Sequence, residues 1–377
     1  MKTARDLMPA LSPTLAEYGM LRLQLLCKAL ELPRAEREAA EELFQLVGST
    51  WPSGALTAAA PWENDLTDDG TPFEFSVGFE RARPELRLLF ESQLATNELT
   101  SWTSWQAGLA LQERLRTTGR CDITGFERIA EIFEPTPTFE PRFSLWHAAV
   151  LRPGEKAMFK AYVNPEVRGV EASRSLTRDA LSVLGVTPAW EFLESRLRDA
   201  TRVPYLSVDL EAPQKARLKL YLTATDAAGV EELTRGTSNI APGMATSWLT
   251  RLTLGGGPYS GRPILVCYAY RPGSSLPEAT VHVPIRNYAP TDEQALERTL
   301  DLLPAGSGAK LTAALKALAR QSLDRSRGVL SYVSLRVVQG RVRVTTYLAP
   351  GAYTLAEDRR ESGTIPTGRP SSPPPKP

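Results

Sequence analysis

The run Arg217 to Tyr221, RLKLY, puts two cations and a phenol on one face of an extended segment and leucines on the other. The same alternation returns elsewhere in the chain, with Arg87, then Lys160 and Tyr162, then Thr280 and His282, then Arg343, Thr345 and Tyr347 on the polar parity. The opposite parity is aliphatic, as in Leu86 and Leu88, Ala161 and Val163, Leu218, Leu220 and Leu222, and Val342 and Val344. Arg and Lys side chains converging with phenolic hydroxyls suit a diphosphate, which needs its charge neutralised by directional donors. A tyrosine ring face attracts cations, so a ring of tyrosines shelters a carbocation from water. Those are the two requirements for ionising an allylic diphosphate: donors organised around the leaving group, and a dry aromatic cage for the allyl cation.

Glu74, in TPFEFS, shares the polar parity with Ser76 while Phe73, Phe75 and Val77 alternate with it. It either pairs with Arg87 or accepts the N–H of an indole, which orients the ring and enriches it as a nucleophile. Two histidines are present, His147 and His282. His147 precedes Lys160 by 13 residues, the interval that also separates Glu74 from Arg87, which marks it as a candidate base for the arenium proton; a hydrogen-bonded structural histidine is the other reading. The acids of NDLTDDG, Asp65, Asp68 and Asp69, lack the DDxxD order that holds magnesium on a diphosphate and read as a loop. Gly255 to Gly257 lacks the following Lys-Ser/Thr of a phosphate loop and reads as a turn.

The elements that must position these residues come in pairs. Strands are predicted at Phe73 to Phe79 with Glu85 to Glu91, Phe143 to Leu151 with Lys156 to Val163, and Pro204 to Leu210 with Ala216 to Ala224. Two further pairs are Pro263 to Tyr270 with Ala279 to Pro284, and Gly328 to Val338 with Arg341 to Leu348. Each pair starts roughly 60 to 70 residues after the last. Between them, apolar residues recur at helical steps: Leu94 to Thr117 and Thr124 to Phe133, Ser175 to Leu184 and Pro188 to Ala200, Gly229 to Gly236 and Met244 to Leu252, Thr291 to Leu303 and Ala309 to Leu323. Ser12 to Leu32, with Ser12 as N-cap, and Arg34 to Val47 precede the first pair.

Ten antiparallel strands leave two edges unless they close, so an α+β architecture of five αββα units follows, a strand barrel with helices outside. Outer helices bury the aliphatic face, which leaves the polar parity facing the axis. A single Arg or Lys on a strand is ordinarily a solvated residue; the parity repeated over five strands argues for a common cationic, phenol-lined lumen. If Gln339 and Gly340 form a two-residue turn, Val338 faces Arg341, Arg336 faces Arg343 and Tyr332 faces Tyr347. One barrel domain is expected over residues 1–362, followed by a disordered Pro/Ser-rich tail, Gly363 to Pro377.

The net charge of +1, evenly spread, argues against a nucleic-acid partner. No apolar run approaches the roughly 18 residues of a membrane span. Met1 to Leu15 has no signal-peptide core, and Cys27, Cys121 and Cys267 form no CxxC, which suggests a soluble cytoplasmic protein. The sequence leaves monomer or homodimer open.

The segments DLTDDGTPFEFS, FKAYVNP, YLSVDLEAPQKARLKLYL, VHVPIRNYAPTDE and LSYVSL followed by Tyr347 resemble, in order and spacing, the dimethylallyltryptophan-synthase family of indole prenyltransferases, from about Leu66 to Pro350. The resemblance implies the ABBA barrel and a metal-independent Friedel–Crafts alkylation, with dimethylallyl diphosphate and an aromatic acceptor such as L-tryptophan as small-molecule partners and no cofactor. It implies Glu74 at the indole nitrogen, Arg87, Lys160, Arg217 and Lys219 at the diphosphate, and Tyr162, Tyr221, Tyr332 and Tyr347 around the cation. The backbone near Leu66 would hold an amino-acid acceptor. Where fungal members carry Gln and Tyr on the fourth second-strand, this chain has Thr280 and His282; where they carry a catalytic lysine, the matching position reads as His147. Arg343, ahead of Arg336, would supply the family's arginine between the last two tyrosines. The short loops resemble the bacterial branch, which includes enzymes acting at C6 of free tryptophan. A cyclic dipeptide or tyrosine acceptor, and a non-catalytic anion-binding barrel, are the alternatives.

Overall fold

The computed structural model describes residues 13–354 apart from 63, 80–82, 95–98 and 260, so the expected tail from Gly363 to Pro377 and the cap Ser12 lie outside the described residues. Paired helices and paired strands alternate. α1 (Leu15–Ala29) and α2 (Arg34–Gly48) precede β1 (Phe73–Gly78) and β2 (Glu85–Glu91); α3 (Ser101–Thr117) and α4 (Thr124–Ala130) precede β3 (Leu145–Leu151) and β4 (Met158–Val163). α5 (Ser173–Val183) and α6 (Thr187–Glu194) lead to β5 (Tyr205–Asp209) and β6 (Leu218–Ala224), and α7 (Ala227–Thr234) and α8 (Met244–Thr253) to β7 (Ile264–Tyr270) and β8 (Glu278–Val283). α9 (Asp292–Leu300) and α10 (Ser307–Leu318) come before β9 (Leu330–Val338) and β10 (Arg341–Leu348). Every strand pairs antiparallel with its chain neighbours, and β1 closes on β10. The expected barrel with outer helices is what forms.

Local chemistry explains the pieces. Thr14, rather than Ser12, caps α1: its hydroxyl accepts from the Glu17 amide while the Glu17 carboxylate takes the Thr14 amide, a reciprocal capping box. Gln339 and Gly340 take φ of 51° and 72°, the left-handed pair that a tight hairpin turn demands, and the last hairpin has the expected register of Val338 to Arg341, Arg336 to Arg343 and Tyr332 to Tyr347.

The main core lies between sheet and helices. Phe73 and Phe75, on the outer parity of β1, meet Phe44 of α2 at ring-centroid distances of 5.3 and 6.2 Å. Gly19 lets α1 come this close: a Cβ there would lie 2.3 Å from Phe44 and 2.7 Å from Phe73. With the apolar parity spent on the helices, the polar parity is left facing the lumen.

The register corrects one expectation. The first hairpin opposes Ser76 to Arg87, the second Ala148 to Lys160, so the second connection is one residue longer. Because side chains alternate with period two, that residue flips the face reached by a fixed count back from Lys160. Trp146, not His147, therefore matches Glu74. His147 points outward, fully buried under α3, where its Nε2 lies 3.0 Å from Gln112 Nε2 and its ring stacks on Phe90. Burial pushes its pKa down to about 3.

Candidate active site

All five hairpin tips lie at one end of the barrel and the helical connections at the other. Towards the hairpin end the lumen is lined by Arg87, Lys160, Arg217, Lys219, Arg336 and Arg343, so the sequence-expected cations converge. Arg217 lies just before β6 rather than on it. Two carboxylates that the sequence reading passed over stand among them. Asp209 pairs with Arg217 at 2.6 Å and with Lys160 at 3.6 Å, and Glu85 accepts from both Arg87 and Arg152. Both acids are buried, which opposes their ionisation, but the adjacent cations prevail: Asp209 is held below its ordinary value, and Glu85 falls to about 2. Lys160 and Lys219 are pushed down, first by burial and then, for Lys160, by Lys219 itself. An incoming polyanion would relieve that repulsion.

Beyond the cations, a continuous wall of rings climbs the lumen. Tyr162 meets Tyr221 at 6.0 Å; Tyr221 meets His282 at 5.6 Å; His282 meets Tyr347 at 5.7 Å; and Tyr347 meets Tyr332 at 6.2 Å, edge-on. From Tyr221 the wall continues through Tyr205, edge-on at 5.9 Å, to Trp146 at 5.5 Å, which stacks on Phe143 at 3.9 Å. Phenolic hydroxyls here stay protonated, since burial raises the pKa of Tyr162, Tyr205, Tyr221, Tyr332 and Tyr347. His282 is a neutral imidazole, lowered to about 3 by burial and by Lys219 and Arg87.

Glu74 sits among these rings. Its Oε1 accepts from the Ser331 hydroxyl at 2.6 Å, while Arg87 pairs with Glu85. Ser331 is the extra residue of a bulge between β9 and β10, where the register shifts after Tyr347; bulges re-aim side chains, and no parity count could have found this one. Burial raises Glu74 to about 7, partly offset by Ser331 and Arg262. Leu66 packs on Phe143 and Trp146, and its amide donates to the Asn64 side chain. Glu91 anchors this platform: its carboxylate takes the indole N–H of Trp146 at 2.8 Å and of Trp62 at 3.1 Å. Trp146, Tyr205 and Asp209 share the inner parity of the first strands, a signal present in the sequence that a reading centred on second strands missed.

The mouth at the connection end is a cavity of about 720 Å³ lined by Arg142, Arg202 and Arg262 together with Asp65, Glu140 and Glu166. The Tyr205 hydroxyl donates to Asp65 Oδ2 at 3.0 Å, and Asp68 is held by Arg262 and Arg286, so the NDLTDDG acids tie the mouth together. Among the described residues, no group of His, Cys, Asp and Glu is gathered as a metal site would need, and no helix is long and apolar enough to cross a membrane.

A model of the tryptophan dimethylallyltransferase family matches residues 48–303. Among solved structures, the 5-dimethylallyl tryptophan synthase from Streptomyces coelicolor in complex with DMASPP and Trp superposes with a TM-score of 0.80 at 28% identity, covering 97% of this chain and 99% of that one. The 6-dimethylallyltryptophan synthase from Micromonospora olivasterospora, also in complex with DMASPP and Trp, gives 0.81 at 25% identity, covering 91% and 99%. A 4-O-dimethylallyl-L-tyrosine synthase from Claviceps purpurea is 22% identical over 356 residues, 77% of this chain and 76% of its own length.

Proposed function

This chain belongs to the tryptophan dimethylallyltransferase family of aromatic prenyltransferases, and from that premise we propose that it transfers a dimethylallyl group from dimethylallyl diphosphate to the indole ring of L-tryptophan. The observation that carries the reading is Glu74: a buried carboxylate on the inner parity of β1, one inward position nearer the mouth than the Ser76–Arg87 pair and held by Ser331 beside Tyr332. An anion-binding barrel gains nothing from such a group, whereas an indole acceptor needs an N–H partner.

In this reading Arg87, Lys160, Arg217, Lys219 and Arg343 hold the diphosphate, and their charge replaces that of a metal as the allylic C–O bond breaks. The allyl cation rests against Tyr162, Tyr221, Tyr332 and Tyr347. Glu74 fixes the indole N–H, a ring carbon attacks the cation, and the arenium proton passes to a base. His282, on the cage wall between Tyr221 and Tyr347, replaces His147 as the candidate acceptor of that proton. Trp146 and Phe143 stack on the acceptor, and the mouth, carrying both signs of charge, meets the ammonium and carboxylate of a free amino acid, a better match than a cyclic dipeptide with neither. Tyrosine would satisfy the mouth equally. We place the protein in the cytoplasm, in keeping with its free Cys27, Cys121 and Cys267.

The test is incubation with dimethylallyl diphosphate and a panel of tryptophan, tyrosine and a tryptophan-containing cyclic dipeptide, all in EDTA. We expect prenylated tryptophan, with NMR locating the new bond; C6 is the position placed first, and C5, after the similar 5-dimethylallyl tryptophan synthase, is its rival. Strict magnesium dependence, or turnover of the dipeptide alone, would overturn the reading.

A further inference from the structure

The hairpin end of the barrel carries a feature that prenyl transfer leaves unused. Each hairpin contributes a cation to that rim: Arg83 from the first, Arg152 from the second, Lys215 from the third, Arg271 from the fourth and Arg336 from the fifth. With Arg217 they line a vestibule of about 330 Å³ in which, among the described residues, six cations stand with two carboxylates, Glu85 and Glu211. Arg83 also reaches Glu36, Arg271 lies 3.8 Å from Glu278, Arg152 lies 3.4 Å from Glu155 and Arg217 pairs with Asp209, so much of the charge is shared with acids outside the lining and the site is a weak one. The vestibule adjoins the cation cluster of the lumen, since Glu85, Arg152, Arg217 and Arg336 line both cavities. The mouth at the other end shares none of its lining residues with that cluster.

We propose that this rim is a second anion site, through which inorganic diphosphate leaves while the prenylated acceptor leaves by the mouth. The inference rests on the reading that the lumen cations hold the donor diphosphate. After transfer, the diphosphate lies on the hairpin side of the aromatic wall, and the organic product lies on the mouth side. Leaving by the mouth would drag a polyanion across buried rings and past the product, at a heavy desolvation cost. Leaving by the hairpin end passes it from one set of cations to the next, and the field of five converging hairpins draws it outward.

Lys215 and Arg271 are exposed and stand outside the lumen machinery, so the double variant K215E/R271E tests the site. Calorimetric titration with sodium diphosphate should show two sites in the wild type, a tight one and a weaker one that fades with added salt, and the tight one alone in the variant. In a single turnover, the variant should form product at the wild-type rate, which also reports its fold, but release diphosphate several-fold more slowly to a coupled pyrophosphatase assay. A single site in the wild type, or release unchanged in the variant, overturns the proposal. The underlying reading fails separately: K219A should abolish the tight site, and tight binding retained in K219A would move the donor out of the lumen.

Discussion

The Ser331 hydroxyl donates to Glu74 Oε1 at 2.6 Å across the barrel's closing seam, from the bulge in β9 to the strand two places away. Ser331 thereby supports the ionised form of a carboxylate that burial drives towards neutrality.

The pH dependence follows from that balance. The working form of Glu74 is the carboxylate, and burial raises its pKa to about 7, so kcat/KM for the acceptor should fall about tenfold per pH unit below that value and level off above it. Ser331→Ala removes an interaction that lowers the pKa, so the acid limb should move to higher pH. Glu74→Gln should cost at least about 100-fold in turnover and flatten the limb, with donor affinity kept. Near-wild-type turnover in this variant would remove Glu74 from the chemistry.

The same shift carries a stability consequence. The folded protein binds the Glu74 proton more tightly than the unfolded chain, whose carboxyl titrates near 4.5, so this group's stabilising contribution is present at low pH and is lost as pH rises towards about 7. Glu74→Gln should therefore raise Tm at pH 8 more than at pH 5, as read by thermal melts.

His147 faces α3 and bonds Gln112, so His147→Leu should leave a buried amide unsatisfied and cost about 1–3 kcal/mol of stability. Its turnover per folded molecule should stay near the wild type. A collapse of kcat without loss of stability would restore a catalytic role.

Glu91 accepts two indole N–H groups beneath the acceptor platform. Glu91→Leu should cost about 2–6 kcal/mol by stranding both donors, and should raise KM for the acceptor more than for the donor. Denaturant melts and separate substrate titrations distinguish the two effects.

Asp209 compensates Lys160 and Arg217 while the lumen holds no polyanion. Asp209→Asn should destabilise the ligand-free protein by about 3–5 kcal/mol, and added diphosphate should restore more Tm in the variant than in the wild type. Equal shifts in both proteins would separate Asp209 from the diphosphate site.

The sequence by itself determined the alternation within each strand, because side-chain period two is written into the covalent chain. That made RLKLY, Lys160 with Tyr162, and Arg343 with Tyr347 legible as one inner face, and the Gln339–Gly340 turn legible as a register. Only the tertiary structure decided how separate strands align. One extra residue in the second hairpin turned His147 out and Trp146 in, and the β9 bulge turned Ser331 towards Glu74. Asp209 and Glu91 show the same limit: their partners lie on other strands or on distant segments, and those distances are fixed by barrel closure rather than by any local pattern.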